Sequence, residues 1–550
     1  MMIFDKMFVN GRFYTMKEEG NIADAIGIKD GIIEFVGMNE EAASYESDEI
    51  IDLEGKTVVP GLSDSHMHMH AYCQNKTSVD LQSAYSLEQM IELMKEKAKQ
   101  TPEGNWIKGV NFDQSKFKEN RFPTRYDLDR ISTKHPIVIK RCCLHAIVVN
   151  SLALEFAGVA KGYNAGTGGI VEFDSNGEPN GILMEQCTKI FDEIIPDPLL
   201  DEGLKRNIMF DVFSDMSSKG VTSIHTYAAK VWNYGEDIEL YKAFEREGLL
   251  PVRVTVCLDE IFKPEVLTKE QIENPYRMVQ YGAYKLFVDG SLGSRSAALK
   301  EPYCDDDKNR GFVICTQEEL NYRVLHGYQC GLQPAIHAIG DAALDMTLTA
   351  IENTLNVTKK KGMTKEEQSH RLPFRIIHAQ MVDENLIERM KKLPVILDIQ
   401  PVFIFTDLHW IEERLGYHRL KWTYCWKTML DEGLIQTGGS DCPVEYFDPM
   451  KGIYAAVSRK DLNGYPGGGY FPEEKLSMYE AFCLFTKNVH IATGQEDKLG
   501  TLELGKFADM VVLDSNPFNL NEEELLNVKV LYTFVAGKQV YPQKLNFIEG

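Results

Sequence analysis

A chain of 550 residues is too long for one simple core, since single cores stop growing near ~250–300 residues, and it predicts a large domain with a smaller companion. Hydrophobic residues at 44% and charged residues at 26% are ordinary for a soluble globular enzyme, and no apolar run reaches the roughly 18 residues that suggest a membrane span. The net charge of −23 argues against nucleic acid and anionic membranes as partners, and the 11 scattered cysteines, without a C-x-x-C, argue for reduced thiols in a cytoplasmic protein rather than a disulfide framework.

Met1-Met2-Ile3-Phe4-Asp5-Lys6 has no basic n-region and no long apolar stretch, so no signal peptide is predicted. Phe8–Tyr14 and Ala25–Gly37 read as strands around the hairpin signals Asn10-Gly11 and Asp30-Gly31. Eight β-rich runs follow: Thr57–Ser65, Val221–His225, Pro251–Cys257, Ala283–Val288, Gln333–His337, Phe374–His378, Val395–Gln400 and Leu434–Gly438. Amphipathic segments such as Val382–Lys392 separate them. This alternation predicts an α/β fold, a (β/α)8 TIM barrel over residues 57–499. The gap between the first two runs is too long for one crossover. It contains Trp106–Val110, Pro136–Lys140 and the Gly-rich Gly162–Gly181, and predicts an inserted subdomain over 72–204 near the barrel mouth. The C-terminal stretch, Gly505–Asp514 and Val528–Tyr541, again reads strand, turn, strand. Neither terminus can close a core alone, so residues 1–56 and 500–550 are expected to pair as one composite β-sandwich domain.

The candidate chemistry begins at Pro60-Gly61-Leu62-Ser63-Asp64-Ser65-His66-Met67-His68-Met69-His70. Side chains at i and i+2 of a strand share a face, so His66 and His68 can converge on one ion, and neutral imidazole is a common zinc ligand. A bare H-x-H is more often a surface histidine cluster. Here it ends an apolar run. His68 and His70 have the same spacing, but the Pro-Gly-x-x-Asp-x-His-x-His pattern favours the first pair. His337, His378 and Asp441 close or follow other predicted strands. A lone strand-end histidine is at least as often a satisfied core residue, and Asp341 after Gly340 reads equally well as a helix cap. Together, however, such residues would open onto the single face where barrel enzymes work. Lys285 lies inside the apolar run Ala283–Val288, a costly place for a cation unless it snorkels outward, is paired or is modified. A carbamylated Lys285 would supply a carboxylate able to bridge two cations.

The residues resemble the YtcJ-like branch of the amidohydrolase superfamily, which includes N-substituted formamide deformylase. The resemblance covers nearly the whole chain. It is carried by Val59–His68, Gly168–Val171 with Gly177–Gly181, Lys285–Leu299, His337–Asp341, Gly439–Val444 and Gly500–Asp514. It implies the barrel with its composite sandwich. It also implies that His66, His68 and Asp441 hold one metal, and that His337 and His378 hold a second, bridged by Lys285 if carbamylated. Zinc is the expected metal, as one or two ions; iron, cobalt or manganese suit the same donors. This chain departs from the branch at Cys143-Leu144-His145, which often reads Asp-Gly before the histidine, and at His225-Thr226, which often reads His-Asp. The relatives' substrate is therefore not carried over.

The expected reaction is hydrolysis of an amide-type C–N bond in a small molecule by metal-activated hydroxide. Asp441 serves as general base and then as general acid toward the leaving amine, because a free amide anion leaves poorly. His145 and Arg295 are the expected substrate-orienting groups, with a buried hydrogen-bonded histidine and a structural ion pair as their plainer readings. Trp106, Phe112 and Phe403 are aromatic candidates for an apolar substituent, and equally for core packing. Ester, lactone or carbamate hydrolysis on the same site is the nearest rival. A non-catalytic regulatory homologue would be expected to have lost ligands; a metal-dependent isomerase or deaminase is the last alternative, and Lys285 weighs against it, since mononuclear deaminases typically lack the strand lysine. The partner is a small molecule rather than nucleic acid or a membrane, and a homodimer is left open.

Overall fold

Eight strands build one parallel sheet: β1 (Leu62–Met67), β2 (Val221–Tyr227), β3 (Arg253–Leu258), β4 (Val279–Phe287), β5 (Pro334–Ala338), β6 (Phe374–His378), β7 (Val395–Ile399) and β8 (Gln436–Gly438). Each pairs in parallel with its neighbours in chain order. β8 returns to β1 through an isolated Met67–Cys442 bridge, through Asp441 N–H on His66 O at 2.7 Å and through His68 N–H on Cys442 O at 2.7 Å. The result is a nearly closed eight-stranded parallel barrel. The computed structural model describes residues 3–141, 146–165, 169–227, 234–258 and 277–542. The chain divides into two units, Met1–Met69 with Asp211–Gly550, and His70–Phe210.

The period-2 pattern of the strands explains the barrel's two faces. Tyr227, Cys257, Ala283, Ala335 and Ile377 form one buried inner cluster. Tyr284, Leu286, Ile336, Ala338, Phe374, Ile376, Leu397 and Ile399 point the other way. They join the main core with Leu344, Leu348 and Ile351 of the helix Asp341–Lys360. By the same alternation Lys285, His337, Arg375, Asp398 and Thr437 lie on the inward face. Among the described residues no helix is long and apolar enough to cross a membrane.

The chain ends meet in a six-stranded sheet ordered Lys538–Tyr541, Val530–Val535, Met510–Leu513, Thr57–Pro60, Arg12–Tyr14, Ile22–Ala23. A four-stranded sheet is ordered Ile32–Gly37, Ala25–Lys29, Ile3–Val9, Glu46–Asp52. Phe8, Phe13, Val58, Met510, Val512 and Phe534 share one core. Two sequence expectations change here. The run Thr57–Ser65 is not one strand: Thr57–Pro60 belongs to the terminal sheet and only Leu62–Met67 to the barrel. The chain turns between them at Gly61, where a Cβ would lie 2.1 Å from Thr222 Oγ1. Asn10-Gly11 is not a hairpin turn either. It carries the chain from Ile3–Val9 in one sheet to Arg12–Tyr14 in the other, whereas Asp30-Gly31 does join paired antiparallel strands.

The unit His70–Phe210 has its own mixed sheet, ordered Gly169–Phe173, Pro179–Glu185, Ala146–Val149, Ile137–Arg141, Ile107–Phe112, Val79–Asp80. The helix Leu87–Gln100 supplies Met90, Ile91 and Met94 to a core shared with Ile107, Phe112 and Ile139. Phe112 is fully buried there beside Phe117 and Phe122, and Trp106 packs against Phe156 and Phe191. Phe112 therefore packs in this unit's interior, whereas Trp106 is partly buried between the buried Phe191 and the exposed Phe156. His145 lies outside the described residues.

Candidate metal centre

The end of β1 and the loop after β8 bring His66, His68 and Asp441 together. Asp441 Oδ1 lies 3.4 Å from His66 Nε2 and 3.0 Å from His68 Nε2. Asp441 occupies this position in left-handed backbone, with φ of 57°, its own N–H on the His66 carbonyl. Asp64 shapes the same seam. Its carboxylate accepts the His66 and Ser440 backbone N–H groups at 3.0 and 3.1 Å and the Ser440 hydroxyl at 2.5 Å.

Lys285 is buried on β4, with Nζ 3.4 Å from His66 Nε2 and 4.9 and 4.8 Å from the Tyr227 and Phe287 ring centres. His337 on β5 and His378 on β6 have ring centres 4.5 Å apart, and His378 lies 5.5 Å from His66. Strict alternation would send His378 outward with Phe374 and Ile376. Left-handed backbone at His378 and Ala379, with φ of 74° and 44°, breaks that alternation. Phe403 stacks on the His378 ring at 5.9 Å.

Three of these histidines have one nitrogen committed as a hydrogen-bond donor. His68 Nδ1–H donates to the Tyr227 carbonyl at 2.5 Å. His337 Nε2–H donates to the Gly290 carbonyl at 3.2 Å. His378 Nδ1–H donates to Gln400 Oε1 at 2.7 Å, and the Gln400 amide is oriented by donating its own N–H to the Asp398 carbonyl at 3.0 Å. The nitrogen left for a metal is then His68 Nε2, His337 Nδ1 or His378 Nε2, the second-partner arrangement typical of metal-ligating histidines. Asp289 fixes the β4 and β5 loops by accepting the backbone N–H groups of Ala298, Ile339 and Gly340 at 2.9, 3.1 and 2.9 Å.

The electrostatics fit a cation. Burial lowers the pKa of His66 and His337 well below the usual range and takes His378 to about 4, so all three are neutral. Burial also lowers Lys285 to about 7. Burial alone would raise Asp441, but His66 and His68 outweigh it and hold the carboxyl well below its ordinary value. Asp441 Oδ1 is a buried atom without a hydrogen bond of good geometry, although two imidazole nitrogens lie close. His66 Nε2, His68 Nε2 and Asp441 Oδ1 thus converge on one point, where a divalent ion would take the place of shared protons. Two imidazoles and a carboxylate suit zinc and other borderline divalent ions.

The remaining described sequence candidates each have a partner outside the ligand cluster. His70 Nε2 is 3.2 Å from Asp197 Oδ2 within its own unit. Arg295 sets Nε and Nη2 on the Asp305 carboxylate at 3.0 and 2.8 Å. His225 is buried on β2 and accepts from Arg375 Nη1 at 3.1 Å through Nδ1. Sequence reasoning missed Tyr227, Arg375, Asp398 and Gln400. Arg375 and Asp398, like Lys285, are inward charges in apolar strands.

Comparison with known proteins places the chain in a family. The amidohydrolase family model matches residues 49–541. A Bacillus subtilis (strain 168) protein described as the amidohydrolase YtcJ is 34% identical over 541 residues, 96% of this chain and 98% of that protein. The N-substituted formamide deformylase of Arthrobacter pascens is 26% identical over 550 residues, 97% of each chain. A crystal structure of a metal-dependent hydrolase from Pyrococcus horikoshii OT3 superposes with a TM-score of 0.75 at 29% identity, covering 94% of this chain and 99% of that one.

Proposed function

The chain belongs to the amidohydrolase family of hydrolases, and on that premise we propose that it cleaves an amide-type C–N bond of a small molecule with a divalent metal. The carrying observation is the convergence of His66 Nε2, His68 Nε2 and Asp441 Oδ1, which together would hold one ion. His337 and His378 would hold a second, and Lys285, carbamylated on Nζ, would reach both. Zinc is the first candidate, with iron, cobalt or manganese accepted by the same donors. A bound ion would supply Lewis acidity, acidifying a water and polarising the scissile carbonyl.

The chain's own groups do the rest. Asp441 accepts the proton of the attacking water at a carboxylate oxygen and returns it to the departing amine nitrogen, so the leaving group departs neutral. Phe403, stacked on His378, gives the site one aromatic wall suited to an apolar substituent. Arg295 and His145 are our candidates for orienting the substrate. The name of the Arthrobacter relative supports a formamide or similar secondary amide as the first substrate class to try.

The test is a steady-state panel of N-substituted formamides, simple amides, esters, lactones and carbamates on metal-loaded protein, with Asp441→Asn beside it. The reading expects amide turnover that falls at least ~100-fold in the variant. Turnover of esters or lactones alone would move the function to the neighbouring reaction. Near-normal turnover in a fully metal-loaded Asp441→Asn protein would remove Asp441 from the proton transfer.

A further inference from the structure

Beneath the proposed metal ligands the barrel interior is not apolar. Arg375 on β6 and Asp398 on β7 are both completely buried. Arg375 Nε and Nη2 lie 2.8 and 2.6 Å from Asp398 Oδ2. Nη2 also donates to the Ser65 carbonyl on β1 at 2.9 Å, and Nη1 donates to His225 Nδ1 on β2 at 3.1 Å. The other Asp398 oxygen accepts the Thr437 hydroxyl on β8 at 2.7 Å, and Thr437 Oγ1 lies 3.0 Å from Ser65 Oγ. One guanidinium and one carboxylate therefore tie together β1, β2, β6, β7 and β8.

The placement matters because of the seam. β1 and β8 have no regular ladder between them, only the isolated Met67–Cys442 bridge and neighbouring contacts. His66, His68 and Asp441 all sit on that seam. Ser65 immediately precedes His66, Arg375 lies three residues before His378, and Thr437 lies four before Asp441. A buried ion pair is weak evidence for stability, since apolar residues of similar volume often do as well or better. What a forked, five-donor group adds is fixed geometry.

We propose that the Arg375–Asp398 pair is the positioning device of the metal centre, setting the spacing of the strand ends that carry His66, His378 and Asp441. This rests on the reading of those residues as metal ligands. Arg375 and Asp398 act through the ligands and touch neither metal nor substrate. The pair substitutes for the missing β1–β8 ladder, so loosening it spreads the ligands even when the fold survives.

The experiment compares wild type, the apolar double variant Arg375→Met/Asp398→Leu and the single variant Arg375→Lys, which keeps the charge and loses the fork. Zinc affinity of the chelator-stripped proteins is measured by competition with a chromophoric chelator, and the Tm of each stripped protein by calorimetry. Both variants are expected to bind zinc at least ~10-fold more weakly than wild type, the scale on which ligand-orienting partners act. The double variant is expected to keep its Tm. Zinc affinity within about twofold of wild type in either folded variant would overturn the proposal and leave the pair a purely structural one. Arg375→Lys carries the test should the double variant fail to fold. A wild type that takes up no zinc in the same titration would instead refute the metal reading itself.

Discussion

Tyr227 holds His68 through its main chain and His66 through its ring. Its carbonyl accepts the His68 Nδ1–H at 2.5 Å, and its ring lies 4.2 Å from the His66 imidazole, 21° from parallel. A residue at the end of β2 thereby orients both members of the H-x-H pair on β1. The phenol hydroxyl, beside the Cys257 thiol, makes no hydrogen bond of good geometry in the buried interior. The ring and the carbonyl are therefore the expected working groups of Tyr227. Tyr227→Phe should change unfolding free energy by less than about 1 kcal/mol and leave metal content intact, because it removes a poorly satisfied polar atom. Tyr227→Ala should cost roughly 3–5 kcal/mol through the cavity it leaves and should weaken metal retention. Urea unfolding and metal analysis of the two variants separate these effects; a Phe variant as damaged as the Ala variant would show that the hydroxyl is the working group.

Gln400 is the corresponding partner of His378. Its Oε1 accepts the Nδ1–H, leaving Nε2 free. Gln400→Leu removes that acceptor, so the ring is free to rotate and to take the wrong tautomer. The expected outcome is a ~10–100-fold weaker second equivalent of zinc, read by isothermal titration, with the first equivalent less affected. Gln400→Glu keeps an acceptor and should weaken binding less. Equal affinity in Gln400→Leu and wild type would assign His378 a role other than ligand.

His490 gives a pH prediction away from the ligands. It is buried on the helix Lys487–Ala492, its Nε2 3.3 Å from Ser63 Oγ and its Nδ1 3.2 Å from Gln495 Oε1. Burial lowers its pKa to about 4. The unfolded chain takes up this proton near pH 6.5 and the native protein only near 4, so the neutral ring's contribution is complete above 6.5 and is lost as pH falls toward 4. At pH 5 that loss is about 2 kcal/mol relative to pH 7.5. Stability of wild type should therefore fall more steeply between pH 7.5 and 5 than that of His490→Gln, by urea denaturation. Parallel slopes would place the acid sensitivity on other groups.

The sequence was most legible where chemistry conflicts with position. Lys285 stood out because a cation in an apolar strand demands an explanation, and His66, His68, His337 and His378 stood out as polar residues closing strands. Arg375 and Asp398 satisfy the same criterion, but their alternation with Phe374, Ile376, Leu397 and Ile399 resembles ordinary surface-facing residues until the barrel encloses both faces. Tyr227 leaves no signal for half its role, since a main-chain carbonyl belongs to every residue. Thr57–Ser65 reads as one strand because its β-propensity is continuous; its division between two sheets, at Gly61 close against Thr222, is a tertiary fact. The left-handed backbone at His378 and Asp441, with φ of 74° and 57°, likewise leaves no mark in the residue types.

Whether His66, His68 and Asp441 hold a divalent metal is tested most directly by the metal content of the folded protein. Elemental analysis after zinc loading and desalting should find at least one zinc per wild-type chain. It should find markedly less in His66→Ala/His68→Ala of unchanged circular dichroism. A wild type that remains metal-free, or a double variant that retains the wild-type stoichiometry, would contradict the account.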